Sequence, residues 1–413
     1  MDIPSRRPPG AALLALGLLS ACTSEQTPES ASPVIELIDV PAASESMSPN
    51  LAVGPDGTVV LSWLEQHDPE AAVKFSRLGR DGWSDPQTIA QGENWFVNWA
   101  DFPSVVPISS DLWAAHWLVS QAEPWYAYNA VVALSGDSGE TWSEPINPHR
   151  DGTDTEHGFV SMFPDDGGVG LIWLDGRNMV NEVTDDIAAS GMTLRGASLS
   201  SDLVLSNEQK IDGLICDCCQ TDVAITDDGP VAIYRNRTSD EIRDIYVTRH
   251  DAKRWQEGIP VANDNWNIAG CPVNGPAIDA DGKTVAAVWF SAANDVSRVQ
   301  IAFSDDAAES FSSPFDVVSG ETIGRVGLAI LPDGDFAVSW LRKASIDSAE
   351  LCIRRVSTDG DMGPVRVISF GEDIPRFSFP KIVPKDKELI VAWTHRIDDV
   401  SYIKSASVPI SSL

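Results

Sequence analysis

The stretch Gly54-Pro-Asp-Gly-Thr-Val-Val-Leu-Ser-Trp63 decides the fold. A turn rich in Gly, Pro and Asp leads into an apolar run that closes on an aromatic residue. Gly and Pro punctuate turns, and a short β-branched run behind them reads as a strand. The pattern returns as SSDLWAAHW ending at Trp117, DDGGVGLIW at Trp173, DDGPVAIY at Tyr234, ADGKTVAAVW at Trp289, PDGDFAVSW at Trp340 and PKDKELIVAW at Trp393. The aromatics are 54, 56, 61, 55, 51 and 53 residues apart. A period of about 55 residues suits a four-stranded propeller blade with its loops. The aromatic then closes the second strand and packs between neighbouring blades. Seven copies imply an all-β, seven-bladed β-propeller of four-stranded antiparallel blades; six blades plus an irregular insert is the alternative. No long window keeps a helical apolar period.

The ends of the chain fit a ring. A strand at residues 34–40 precedes the first repeat and has no blade of its own, while the last repeat runs out after a third strand at residues 401–410. The early strand supplies the missing outer strand and covers the open edge. Residues 34–413 are thus one propeller domain.

Ahead of it, Arg6 and Arg7 precede an apolar run from Ala11 to Leu19. That run has the size of a signal-peptide core and is too short to span a bilayer. It ends in Leu19-Ser20-Ala21-Cys22, which resembles the bacterial lipobox. The resemblance implies cleavage after residue 21, a lipid on Cys22, and, since Thr23 and not Asp follows, an outer-membrane destination in the cell envelope. Residues 22–33 read as a flexible tether. The full chain of 413 residues has 29 Lys and Arg against 61 Asp and Glu, a formal charge of −32. Such a surface repels phosphate backbones, which excludes nucleic acid, and it does not dock on anionic lipid through a basic patch.

Between the third and fourth strands of the second repeat stands Ser135-Gly-Asp137-Ser-Gly139-Glu-Thr141-Trp142. This resembles the S-x-D-x-G-x-T-W Asp-box of sialidase-like propellers. Weaker copies are Ser304-Asp-Asp306-Ala-Ala-Glu-Ser310-Phe311 and Gly79-Arg-Asp-Gly-Trp83. In that family the box is structural and lies away from the active face. The resemblance implies a carbohydrate-binding or carbohydrate-cleaving propeller. The sialidase catalytic residues are not recognisable, however: the first repeat begins Ser46-Met-Ser-Pro-Asn without the family's early Arg, and the only late Tyr is Tyr402, inside a strand.

In an antiparallel meander, the start of each first strand and the end of each second strand share one rim. This sorts the polar residues without further information. Asp101, Asp175 and Glu65 become candidate catalytic carboxylates. Arg177, Arg235, Arg237, Arg342 and Arg396 become candidate ligand-binding cations for a carbohydrate or small anion. Cys216-Asp-Cys218-Cys219 opens the fourth repeat, Cys271 the fifth and His157 the third. Export favours disulfides, for example Cys271 with Cys218 or Cys219. Thiolates with a histidine also suit Cu(I) or Zn(II). A catalytic thiol pair is a third reading, and a disulfide-stapled scaffold for a protein partner a further function. Cys352, in Leu351-Cys-Ile, reads as a buried apolar residue.

Overall fold

The computed structural model describes residues 35–122, 126–180, 187–251, 253–368 and 374–413. The expected signal peptide, Cys22 and the whole tether lie outside the described residues. Seven antiparallel sheets follow one another along the chain. Their inner strands are Ser46–Val53, Ser104–Pro107, His157–Asp165, Asp222–Thr226, Ala277–Asp281, Thr322–Ile330 and Lys381–Lys385. The inner strand of blade 7 touches that of blade 1, which closes the ring.

Closure uses the element expected from the sequence. Blade 7 has the order outer-third-second-inner, and its outer strand is Glu36–Ile38, paired with Val400–Pro409. The Ser405 hydroxyl donates to the Ile38 carbonyl at 2.9 Å, and the Trp83 indole donates to the Ser405 hydroxyl at 2.8 Å. Blade 2 departs from the four-stranded pattern: its fourth strand shrinks to a bridge between Val132 and Ile146.

All seven repeat aromatics lie in second strands and are buried. Each packs against the blade before it. Trp63 meets Ile390, Ala392 and Ile403 of blade 7, Trp173 meets Ala114 and Leu118 of blade 2, and Trp393 meets Leu341 and Leu351 of blade 6. The ring is therefore held by a repeated interblade wedge of apolar area. The second strands do not stop at the aromatic: that of blade 1 runs Val59–His67 and that of blade 7 Glu388–Ile397. The extra residues carry polar groups to the rim.

The Asp-box behaves as its chemistry requires. Asp137 accepts from the Thr141 amide at 2.8 Å and the Thr141 hydroxyl at 2.6 Å, while the Ser135 hydroxyl accepts from the Gly139 amide at 2.7 Å. These bonds hold the Asp137 carboxyl down at about 2. Asp306 repeats the set with Ser310 and Ser304. Ala308 there adopts φ +65°, where the first box has Gly139 at φ +88°. Both hairpins dock on turns between inner and second strands, through Ser138 to Asp111 and Ala307 to Lys283. That is the face opposite the rim that carries the polar residues.

Candidate functional site

Three inner strands bulge at the rim. Register shifts fall after Met47, Gly158 and Gly324, and Ser48, Phe159 and Arg325 take φ values of +56°, +52° and +59°. Each bulge turns its amide toward the preceding blade. Ser48 donates to the Thr394 hydroxyl at 3.3 Å, Phe159 to Asp101 at 2.9 Å and Arg325 to the Asn274 side chain at 2.9 Å. Bulges re-aim side chains at functional rims. Here the third one sends the Arg325 guanidinium over Trp99 and Phe379, 5.1 and 5.0 Å from their ring centres.

The segments leading into the blades cover the mouth. The Gln220 amide group donates to the Ala100 carbonyl and accepts from the Gly275 amide at 3.2 Å, tying together the lead-ins of blades 2, 4 and 5. Beneath them, a cavity of about 180 Å³ is lined by Asp101, His116, Thr221, Asp222 and Lys381. Beside them lies a cleft of about 360 Å³ between blades 1, 2 and 7. Its walls include Trp99, Phe102, Phe377, Phe379, Arg396 and Asp399. Trp99 is 5.0 Å edge-on from Phe377 and 6.0 Å stacked from Phe379. Phe377 is 62% exposed, so one face of this aromatic group is open to a ligand.

Of the three expected carboxylates, two have structural duties. Glu65 accepts from the Trp63 indole at 2.9 Å, the Ala43 amide at 3.1 Å and Lys74 at 2.6 Å. Asp175 accepts from the Trp173 indole at 2.8 Å and twice from Arg177, at 2.6 and 2.7 Å. Both are buried and engaged by these partners. Each sits two residues after its repeat tryptophan and fixes the indole. Asp101 differs. The Tyr128 hydroxyl lies 2.8 Å from Asp101 and 2.8 Å from Glu156, and a single hydroxyl proton serves only one of them. Burial raises Asp101 to about 7. Burial, and then the charges of Asp101 and Asp217, raise Glu156 to about 8. The second proton therefore belongs to a carboxylic acid at neutral pH. Glu156 and Tyr128 were not singled out from the sequence, because only pairing across blades 2 and 3 reveals them.

The expected cations divide in the same way. Arg235 is buried and donates to the carbonyls of Asn274, Arg243 and Phe290, at 2.7–3.1 Å, which makes it a strut between blades 4 and 5. Arg237 is held by Glu241, Arg342 by Glu350 and Arg177 by Asp175 and Glu208. These four all have partners within the chain. Arg396 stays exposed in the cleft wall, and no ion pair engages it among the described residues.

The thiols converge. Cys216 Sγ is 3.5 Å from Cys219 Sγ and 3.8 Å from Cys218 Sγ, and Cys218 also groups with Asp217 and Cys271. All five described cysteines are free, so the expected bridge from Cys271 is not formed. Cys352 is buried, and burial pushes its thiol up to about 11. Hydrogen bonds from Cys218 and Cys219, then the charges of Arg235 and Arg243, hold the Cys216 thiol well below its ordinary value, whereas Cys218 and Cys219 are raised. His157 lies in another cluster. Its ring stacks on His149 at 3.7 Å, and both face Asp151 Oδ2, at 3.1 and 3.4 Å. It does not join the thiols as expected, because the strand start that carries it points toward blade 3's own lead-in.

No protein-family model matches the chain, and no curated protein matches it. Solved structures do. A lectin from Burkholderia pseudomallei superposes with a TM-score of 0.59 at 11% identity, over 88% of this chain and 97% of that one. A protein of unknown function from Dyadobacter fermentans gives 0.52 at 14% identity, over 92% and 98%. The NanB sialidase of Streptococcus pneumoniae gives 0.48 at 12% identity, over 91% and 70%. At such identities the likeness is one of fold. That fold is the seven-bladed β-propeller.

Proposed function

We propose that the chain is a carbohydrate-binding propeller whose rim cleft takes an anionic saccharide. One observation carries this reading: Trp99, Phe377 and Phe379 form an open aromatic platform beside the exposed Arg396, which no ion pair engages among the described residues. The apolar face of a sugar ring stacks on such platforms, and an arginine fork suits a carboxylate or sulfate. The cleft volume falls in the range of small-ligand sites. The cleft faces the same end as Arg325. Binding, not hydrolysis, is the reading the site supports. Glu65 and Asp175 are consumed by tryptophan and cation partners, and Asp101 is tied to Tyr128 and Phe159.

The test is titration of the chain with uronic-acid and sulfated oligosaccharides and their neutral counterparts. The anionic sugars should bind, and Phe377→Ala and Arg396→Ala should each weaken binding by about 10-fold or more, roughly the 1.4 kcal/mol of one good contact. Arg342→Ala, whose partner is Glu350, should leave it unchanged. Binding that ignores both cleft substitutions sinks the proposal. We further propose, from Leu19-Ser-Ala-Cys22, that the propeller is tethered to the bacterial outer membrane through lipid on Cys22. Metabolic palmitate labelling should vanish in Cys22→Ser; labelling that persists would sink the anchor.

A further inference from the structure

We propose that Cys216, Cys218 and Cys219 form a binding site for one soft, thiophilic cation, Zn(II) or Cu(I), with Cys271 as a fourth sulfur on the solvent side. This site stands apart from the aromatic cleft and does not depend on it.

The sulfur geometry is that of a ligand set. The three Sγ atoms lie within 4.8 Å of one another, with two separations of 3.5 and 3.8 Å. A zinc–sulfur bond of about 2.3 Å in a tetrahedron sets sulfurs about 3.8 Å apart. Cys218 is shared with a second trio that includes Asp217 and Cys271, so the sulfur nearest the trio on the solvent side comes from the lead-in of blade 5 and would have to swing in to complete the set. Packing of blade 4 against blade 5 brings these two segments, more than fifty residues apart in sequence, to one place.

The surroundings treat the sulfurs as acceptors. Arg243 Nη1 donates to Cys216 Sγ at 3.2 Å, and the Asn274 amide donates to Cys219 Sγ at 3.4 Å. Donors aimed at sulfur stabilise thiolate and orient metal ligands. Both donors are themselves held. Arg243 is paired with Glu241 at 3.0 Å and Asp217 at 3.3 Å, and the Asn274 carbonyl takes two bonds from Arg235. Three thiolates this close repel one another unless a cation sits between them. A thiol-only donor set selects Cu(I) or Zn(II) over Mg(II) and Ca(II). Access is provided: Cys216 and Cys219 are buried, Cys218 is half-buried and Cys271 is exposed at the rim. The other candidate trio, His149, Asp151 and His157, already has Arg177 Nη2 3.4 Å from the shared Asp151 oxygen, which competes with an ion there.

The experiment uses the full chain, purified under a thiol reductant without oxygen, and titrated separately with Zn(II) and Cu(I) against a competing chelator. One ion per chain is expected for at least one of the two, and the tighter of them identifies the metal. Binding should protect Cys216, Cys218 and Cys219 from alkylation mapped by mass spectrometry. Cys216→Ser should lower the affinity by about 100-fold or more and Arg243→Gln by about 10-fold, whereas Cys352→Ser should leave it unchanged. Should Cys216→Ser fail to fold, X-ray absorption of the loaded wild-type chain should show three or four sulfur neighbours. Free thiols alongside excess of both metals, a disulfide within the cluster that survives the reductant, or a shell of nitrogen and oxygen alone would overturn the proposal.

Discussion

Replacing Glu156 with glutamine should remove much of the protein's stability loss at rising pH. The reasoning starts from Tyr128, whose hydroxyl lies 2.8 Å from both Asp101 and Glu156. One proton cannot serve two carboxylates, so the folded chain keeps a second proton on the acid pair. The unfolded chain releases it near pH 4, while the folded chain holds it until about pH 7 to 8. A carboxyl whose folded value is raised contributes stability that is complete below the unfolded value and is lost as pH rises through the folded one. One such proton over about three pH units, at about 1.4 kcal/mol each, is worth about 4 kcal/mol. The substituted amide keeps the shape of the protonated acid, donates to the Tyr128 oxygen, and frees the Tyr128 proton for Asp101. Urea unfolding of wild type and Glu156→Gln should be measured at pH 5 through 8. The wild type should lose stability relative to the variant, approaching that 4 kcal/mol by pH 8. Parallel curves, or a wild type that gains on the variant as pH rises, would refute the shared-proton arrangement.

Other consequences follow from the same geometry. Glu65→Ala leaves the Trp63 indole and Lys74 without their buried partner and should cost about 2–4 kcal/mol in urea unfolding; an unchanged midpoint contradicts the staple. Trp173→Ala removes the wedge between blades 2 and 3 and should cost about 3–5 kcal/mol, read in the same assay. Deleting residues 1–40 takes away Glu36–Ile38 and bares the third strand of blade 7, so thermal unfolding should come earlier and light scattering should reveal association; a monomer of unchanged stability would show that closure is dispensable. Binding of an anionic saccharide through Arg396 should weaken as salt rises, because that side chain is exposed and its charge is open to screening by added ions.

How much could be read from the chain differs between fold and site. The repeat aromatics and their turns declare seven blades because packing against the preceding blade demands a large apolar side chain at one fixed place. The closing strand was legible as an unpaired extra. At the rim, strand order correctly sent Cys216–Cys219 and Cys271 to one opening, but it could not say what each charge does there. Glu65 and Asp175 carry a local signal, an acid two residues after a repeat tryptophan, and that signal means indole capping. Arg235 looked like a free fork and is a strut, because its partners are backbone carbonyls that no sequence displays. Tyr128, Glu156 and the aromatic cleft escaped notice since they assemble from different blades. The left-handed bulges fall on Ser48, Phe159 and Arg325, residue types that do not announce such a conformation, although Gly158 and Gly324 stand just before two of them.

Sulfur-anomalous diffraction from crystals of the reduced chain asks most directly whether seven-blade closure collects distant segments around one mouth. The Sγ positions of Cys216, Cys218 and Cys219 should form one tight group with separations near 3.5 and 3.8 Å, with Cys271 adjoining Cys218, on the end of the ring that carries Trp99 and Phe379. Cys271 on the opposite face from Cys216–Cys219, alongside the Asp-box hairpins, would contradict it.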